Sequence, residues 1–149
     1  MIEWIDIERL RGIGLAPHIL PRLPAVHADD KLMRVVEVQR DSVMLHEGQL
    51  VLRARVRTTD VLARMGGDEF AVLLRACPVE QALRIANAIR MDVSNFRFVW
   101  REKLFHVGAS IGLVVLSDPA ASAEEVMEQA DAACYAAKEA GRDQIRVFH

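Results

Sequence analysis

Cysteine is scarce in this chain: Cys77 and Cys134 are its two, and they form no metal-type pair. A disulfide-stapled secreted scaffold is therefore excluded, and the simplest reading is two reduced thiols in a cytoplasmic protein. Five histidines, His18, His27, His46, His106 and His149, show no ligand spacing. That removes the usual zinc patterns. No block of basic residues stands out, and the net charge is −2. Bulk, sequence-independent nucleic-acid binding needs such a block, so it is not expected. No apolar run approaches the roughly 20 residues that a membrane-spanning helix requires. The opening Met1-Ile2-Glu3-Trp4-Ile5-Asp6 lacks the basic-then-apolar order of a signal peptide. Internal repeats and low-complexity segments are also missing.

What remains describes a globular domain. The 149 residues are 52% hydrophobic and 27% charged, enough for one sizeable core. The chain after residue 53 has clear periodicities. Val61–Met65 and Phe70–Leu74 read as two strands of a hairpin. Pro78 opens a helix that gathers Val79, Ala82, Leu83, Ala86, Ile89 and Val93 on one face. Phe96, Phe98 and Trp100 alternate with Arg97 and Val99, a strand pattern. Arg101-Glu102-Lys103 makes a turn, and Leu104–Leu116 continues as strand until Asp118-Pro119 breaks it. Ser122 and Glu125 form a capping box for a second helix. Its buried stripe is Val126, Met127, Ala130, Ala133, Cys134 and Ala137, and Gly141 stops it. Gln144–Phe148 reads as a last short strand. The order predicts an α+β fold with helices packed on a sheet. Before residue 53 the expectations are a short helix over Ile2–Leu10, a loop over Gly12–Pro24, a strand over Leu32–Val38 and a helix over Gln49–Val56.

Chemistry concentrates at Arg64-Met65-Gly66-Gly67-Asp68-Glu69-Phe70. Glycines at a turn tolerate positive φ and let a bulky ligand approach the backbone. Adjacent acids at such a tip suit a divalent cation and the phosphates that it carries. The plain alternative is a solvated turn, in which Gly-Gly and acids are common. Just ahead stands Arg57-Thr58-Thr59-Asp60. A guanidinium can bind phosphate oxygens or the O6/N7 edge of guanine, and a carboxylate can accept from guanine N–H groups. A surface ion pair explains the same spacing without a ligand. Lys138 and Arg142 are four apart at a helix end and so are expected on one face, where they could hold a triphosphate. Cations also favour helix C-termini for dipole reasons alone. Gly112, within Ser110-Ile111-Gly112, marks either a close backbone approach or a packing glycine.

Taken together, these residues resemble the GGDEF domain family, the diguanylate cyclases. Gly66–Phe70 is the signature pentapeptide. Arg57 and Asp60 match the RxxD inhibitory product site. Ala130–Arg142 is similar to the closing A-D-x-A-x-Y-x-A-K-x-x-G-R motif, and Ser110-Ile111-Gly112 to an S-I-G strand. The resemblance runs from about Arg53 to Val147 and divides the domain into a divergent part, 1–52, and a recognisable core, 53–149. It implies a central, mainly antiparallel sheet flanked by helices, with the ferredoxin-like βαββαβ core of nucleotide cyclases. It also implies an activity: two domains, each holding one GTP, condense the pair into cyclic di-GMP. By the resemblance, Asp68 would ligate Mg²⁺ (or Mn²⁺) and help deprotonate the 3′-hydroxyl, with Glu69 as the neighbouring catalytic carboxylate. Gly66, Gly67, Phe70, Lys138 and Arg142 would bind substrate, and Arg57 and Asp60 would bind product and inhibit. The implied partners are GTP, cyclic di-GMP, a second copy of the domain, and adjacent sensor or EAL domains in a longer chain.

The N-terminal part departs from the family pattern. The opening D-x-L-T-G-L-x-N-R is not found. Aligning Asp41 and Gly48 with the family places Leu32 at its metal Asp. The same register places Arg40 and Gln49 at its guanine-reading Asn and Asp. Asp29 and Asp30 lie nearby but out of register. The alternative expectation is thus a catalytically inactive GGDEF module that binds cyclic di-GMP or GTP and regulates a partner domain.

Overall fold

The computed structural model describes residues 4–6, 31–37, 52–66, 68–96, 98–100, 102–118 and 120–149. Six strands form one sheet. They are β1 (Trp4–Asp6), β2 (Lys31–Glu37), β3 (Val61–Gly66), β4 (Glu69–Leu74), β7 (Ala109–Val115) and β8 (Ile145–Val147). Their order across the sheet is β1-β3-β4-β2-β7-β8. The central pairs β3/β4, β4/β2 and β2/β7 are antiparallel, and the outer pairs β1/β3 and β7/β8 are parallel. Helix α1 (Val79–Asn95) carries the chain from β4 to β7, and α2 (Ala123–Glu139) from β7 to β8. A separate two-stranded ribbon, β5 (Phe98–Trp100) with β6 (Lys103–Phe105), lies between α1 and β7. From β2 to β7 this is the mainly antiparallel βαββαβ arrangement expected from the sequence.

Alternation along the strands divides the core between the two faces of the sheet. Met33, Val35, Leu62, Phe70, Val72, Leu74, Ile111 and Leu113 pack with Ala82, Ala86, Ile89 and Val93 of α1. Leu52 and Val56, at either end of the helical residues 52–55, join the same cluster. On the other face Leu32, Ala63, Met65, Ala71, Leu73 and Val114 pack with Val126 and Ala130 of α2. Fully burying a side chain such as Phe70 or Ile111 contributes about 1.5–3 kcal/mol.

The ends of α2 are specified locally. The Ser122 side chain accepts from the Glu125 N–H at 3.1 Å, and Glu125 accepts from the Ser122 N–H at 2.8 Å. This is the expected capping box, which contributes about 1 kcal/mol. At the other end the Gly141 N–H bonds Lys138 C=O at 3.3 Å and the Arg142 N–H bonds Ala137 C=O at 3.0 Å. Those two bonds make a Schellman motif, with Gly141 at φ +116° where only glycine is comfortable.

Three expectations need correction. Trp4–Asp6 is a strand parallel to β3, not part of a helix over Ile2–Leu10. Its β-favouring Trp4 and Ile5 extend the sheet edge, a long-range pairing that no local pattern reveals. Leu104–Leu116 is not one strand, because residues 106–108 interrupt it between the ribbon and the main sheet. The C-terminal turn carries Arg142 two residues beyond the helix cap at φ 62°, so Lys138 and Arg142 do not share a helical face. The loop expected over Gly12–Pro24, and Arg40 and Gln49, lie outside the described residues.

Candidate functional site

The hairpin is tighter than the sequence suggests. Gly66 pairs with Glu69, and Asp68 lies in the turn between them. Gly67 itself lies outside the described residues. The register shifts between Arg64 and Gly66, leaving Met65 as the extra residue of a bulge. Bulges re-aim the chain beside functional sites. Here the bulge leaves Met65 anchored in the core of the α2 face. Phe70, by contrast, is fully buried on the α1 face among Met33, Val35 and Ile111. There it anchors the hairpin from behind, on the face of the sheet away from Glu69.

Glu69 starts β4 on the α2 face, opposite Val36 of β2. Its carboxylate accepts from Arg34 Nη2 at 2.6 Å. Arg34 Nη1 donates to Asp131 Oδ1 of α2. The Arg34 side chain is 10% exposed, whereas Glu69 is 30% and Asp131 51% exposed. A nearly buried guanidinium is thus clasped by two partly exposed carboxylates from different elements. Sequence reasoning missed both Arg34 and Asp131. The signal was available in outline: an arginine inside the apolar run Leu32-Met33-Arg34-Val35-Val36 has to find a counter-charge once the strand is buried.

Small residues make room for this cluster. Arg34 stands in register with Ala71 of β4 on one side and Gly112 of β7 on the other. A Cβ on Gly112 would lie 2.5 Å from Ala130 C=O and 2.5 Å from the Cys134 N–H nitrogen. Gly112 is therefore the point at which α2 packs on the sheet backbone, the packing reading of the two. One turn on, the buried Cys134 Sγ lies 3.5 Å from Ser110 C=O. Burial pushes the Cys134 thiol above its ordinary range. Lys138 and Arg34 oppose that shift, and Asp131 and Glu69 reinforce it.

Leu32 is buried in the core of the α2 face and offers no ligand atom at the position where the family register expects a metal Asp. Among the described residues no three His, Cys, Asp or Glu side chains converge as a metal site. A hard divalent cation needs several oxygen donors. The donor set at Glu69 does not fit one, because a guanidinium already holds the carboxylate.

Arg57 and Asp60 do meet. They are the first and fourth residues of a turn closed by the Asp60 N–H to Arg57 C=O bond at 3.0 Å. Asp60 is wholly buried, and its carboxylate is fully engaged. Oδ2 accepts from the Arg57 N–H at 2.8 Å and from Arg57 Nε at 3.2 Å. Oδ1 accepts from Arg57 Nη2 at 2.9 Å and from the Arg75 N–H at 3.0 Å. Arg57 Nη2 also donates to Arg75 C=O. The Arg57 side chain stays 39% exposed, so of the pair it is Arg57 that offers a surface. On the same side of the sheet a cleft of about 390 Å³ is lined by Ala54, Arg55, Gln81, Arg84, Ile85 and Ala88.

A ferredoxin-like sheet with an acidic two-glycine hairpin defines a nucleotide-cyclase-like α+β domain. The sequence places it more closely. Residues 41–144 match the family model "Diguanylate cyclase, GGDEF domain", and the chain belongs to the GGDEF family. It is 44% identical over 105 residues to the probable diguanylate cyclase DgcE of Escherichia coli. That match covers 70% of this chain and 10% of DgcE, so the chain spans about a tenth of this relative. The fold matches the GGDEF domain of YfiN (TpbB) from Pseudomonas aeruginosa with a TM-score of 0.77 at 23% identity, over 97% of this chain and 96% of that one. It also matches the GGDEF domain of DgcB from Caulobacter crescentus, solved in complex with c-di-GMP. There the TM-score is 0.76 at 19% identity, over 99% of this chain and 90% of that one. No helix among the described residues is long and apolar enough to cross a membrane.

Proposed function

We propose that this domain is a GGDEF module that binds guanine nucleotide over its hairpin tip and regulates a partner domain, without turning GTP over. The ion pair between Glu69 and Arg34 carries this reading. An acid that must assist a developing charge works poorly when an internal cation already satisfies it. By the family resemblance Gly66 and Gly67 would admit the nucleotide, and Lys138 and Arg142 would hold its phosphates. Asp68, in the turn, would meet the same ligand.

Family membership favours a second reading, condensation of two GTP into cyclic di-GMP by a homodimer with Mg²⁺ or Mn²⁺. In it Asp68 and Glu69 would be the catalytic acids and Asp68 the metal ligand. Incubating the full chain at high concentration with GTP and either metal separates the two. The expected outcome is GTP binding by calorimetry with no cyclic di-GMP detected by chromatography. Steady formation of cyclic di-GMP would establish the condensing reading instead.

Product binding at Arg57 and Asp60 fits a division of labour: buried Asp60 orients Arg57, and Arg57 meets the phosphates. Arg84 in the nearby cleft suits the same dianionic ligand, whereas Arg55 is already held by Asp92 through Nε and Nη2. Cyclic di-GMP titrated into wild type and Arg57→Ala should bind at least about tenfold more weakly to the variant, a loss of about 1.4 kcal/mol. Equal affinity would remove the site from Arg57. A guanine-nucleotide ligand and two reduced, buried thiols support a cytoplasmic location.

A further inference from the structure

Arg34 sits near the middle of a central strand, where charge is rare. Its surroundings are shaped to hold it. Ala71 and Gly112 flank it in register, α2 roofs it, and two carboxylates close on its guanidinium. Neither carboxylate comes from β2: Glu69 belongs to the hairpin and Asp131 to α2. The cluster therefore joins three elements through one cation, which is the arrangement that bound metal ions usually create. A guanidinium supplies five donors in a plane and one positive charge that neutral pH never removes.

We propose that Arg34 serves as a resident cation for Glu69 and Asp131, so that these two carboxylates take no divalent metal. Geometry supports it. A metal ion at Glu69 would have to displace Arg34, and a guanidinium that is nearly buried has no solvent-exposed place to go without moving α2.

Direct Mn²⁺ binding, followed by electron paramagnetic resonance, tests this without any turnover. Any Mn²⁺ affinity of wild type, at Asp68 for example, should be unchanged in Glu69→Gln. Arg34→Asp, which exchanges the cation for a third carboxylate, should gain a site at least about tenfold tighter than any in wild type. Arg34→Gln serves if that variant does not fold; it should gain a weaker site, because the two carboxylates then lack their cation. Mn²⁺ binding by wild type that Glu69→Gln abolishes would overturn the proposal.

Discussion

Gly112→Val is expected to destabilise the domain by about 3 kcal/mol or more, at the upper end of overpacking effects. For a domain of this size that is a fall of roughly 6–12 °C in the unfolding midpoint. The reason is where the new atoms would go. A Cβ at Gly112 lies 2.5 Å from two backbone atoms of α2, at Ala130 and Cys134, and 3.0 Å from the Ala133 Cβ. Backbone inside a helix cannot step aside as a flexible side chain can, so the whole of α2 must lift. Lifting α2 would also pull Asp131 away from Arg34. Gly108 supplies the control. A Cβ there meets the Asp143 side chain at 3.2 Å, and Gly108→Ala should cost much less. Thermal melts of both variants check the contrast. A Gly112→Val protein that melts within two or three degrees of wild type would show that α2 does not rest on this strand.

The second large effect is expected at Asp60. Asp60→Ala removes a buried carboxylate that four donors share: the Arg57 N–H, Nε and Nη2 and the Arg75 N–H. Breaking a buried ion pair by deleting one partner costs about 3–5 kcal/mol, because the other partner keeps its desolvation penalty. Arg57 is partly exposed, so the lower half of that range applies. Arg57→Ala should cost less, since Asp60 then keeps two backbone donors. Urea unfolding of the two single variants and the double variant would give a coupling of at least about 1 kcal/mol. Independent, additive effects would mean that the pair is not a structural unit. Stability and binding thereby separate the two residues: loss of Asp60 should unfold the turn, and loss of Arg57 should mainly weaken the ligand.

Local pattern made much of this domain legible. The hairpin, α1 and α2 were readable because alternation, helical periodicity, the Ser122/Glu125 box and Gly141 act over a few residues. The faces of the sheet followed from the same alternation. What local pattern could not supply was pairing at a distance. Trp4–Asp6 is a three-residue strand whose partners are Leu62–Arg64, and nothing near it in sequence announces that. Arg34 and Asp131 are 97 positions apart, so neither motif reading nor spacing could join them. Phe70 lies inside the signature pentapeptide, yet strand alternation sends it to the face away from Glu69. The motif identifies the tip, whereas the pleat of the strand decides which of its residues can meet a ligand.

Strand order also dictates a sequence of events during synthesis. β2 ends at Glu37 and lies at the middle of the sheet, but its two neighbours are β4 and β7, and β7 ends only at Val115. At ordinary elongation rates of roughly 5–20 residues per second, the interval between them lasts on the order of ten seconds. Throughout it, this largely apolar strand of the nascent chain has an open edge that any other strand could join. Arg34 interrupts that stretch with a charge, in the manner of a gatekeeper against aggregation. The residue that ends up clasped under α2 therefore also guards the chain before α2 has been made.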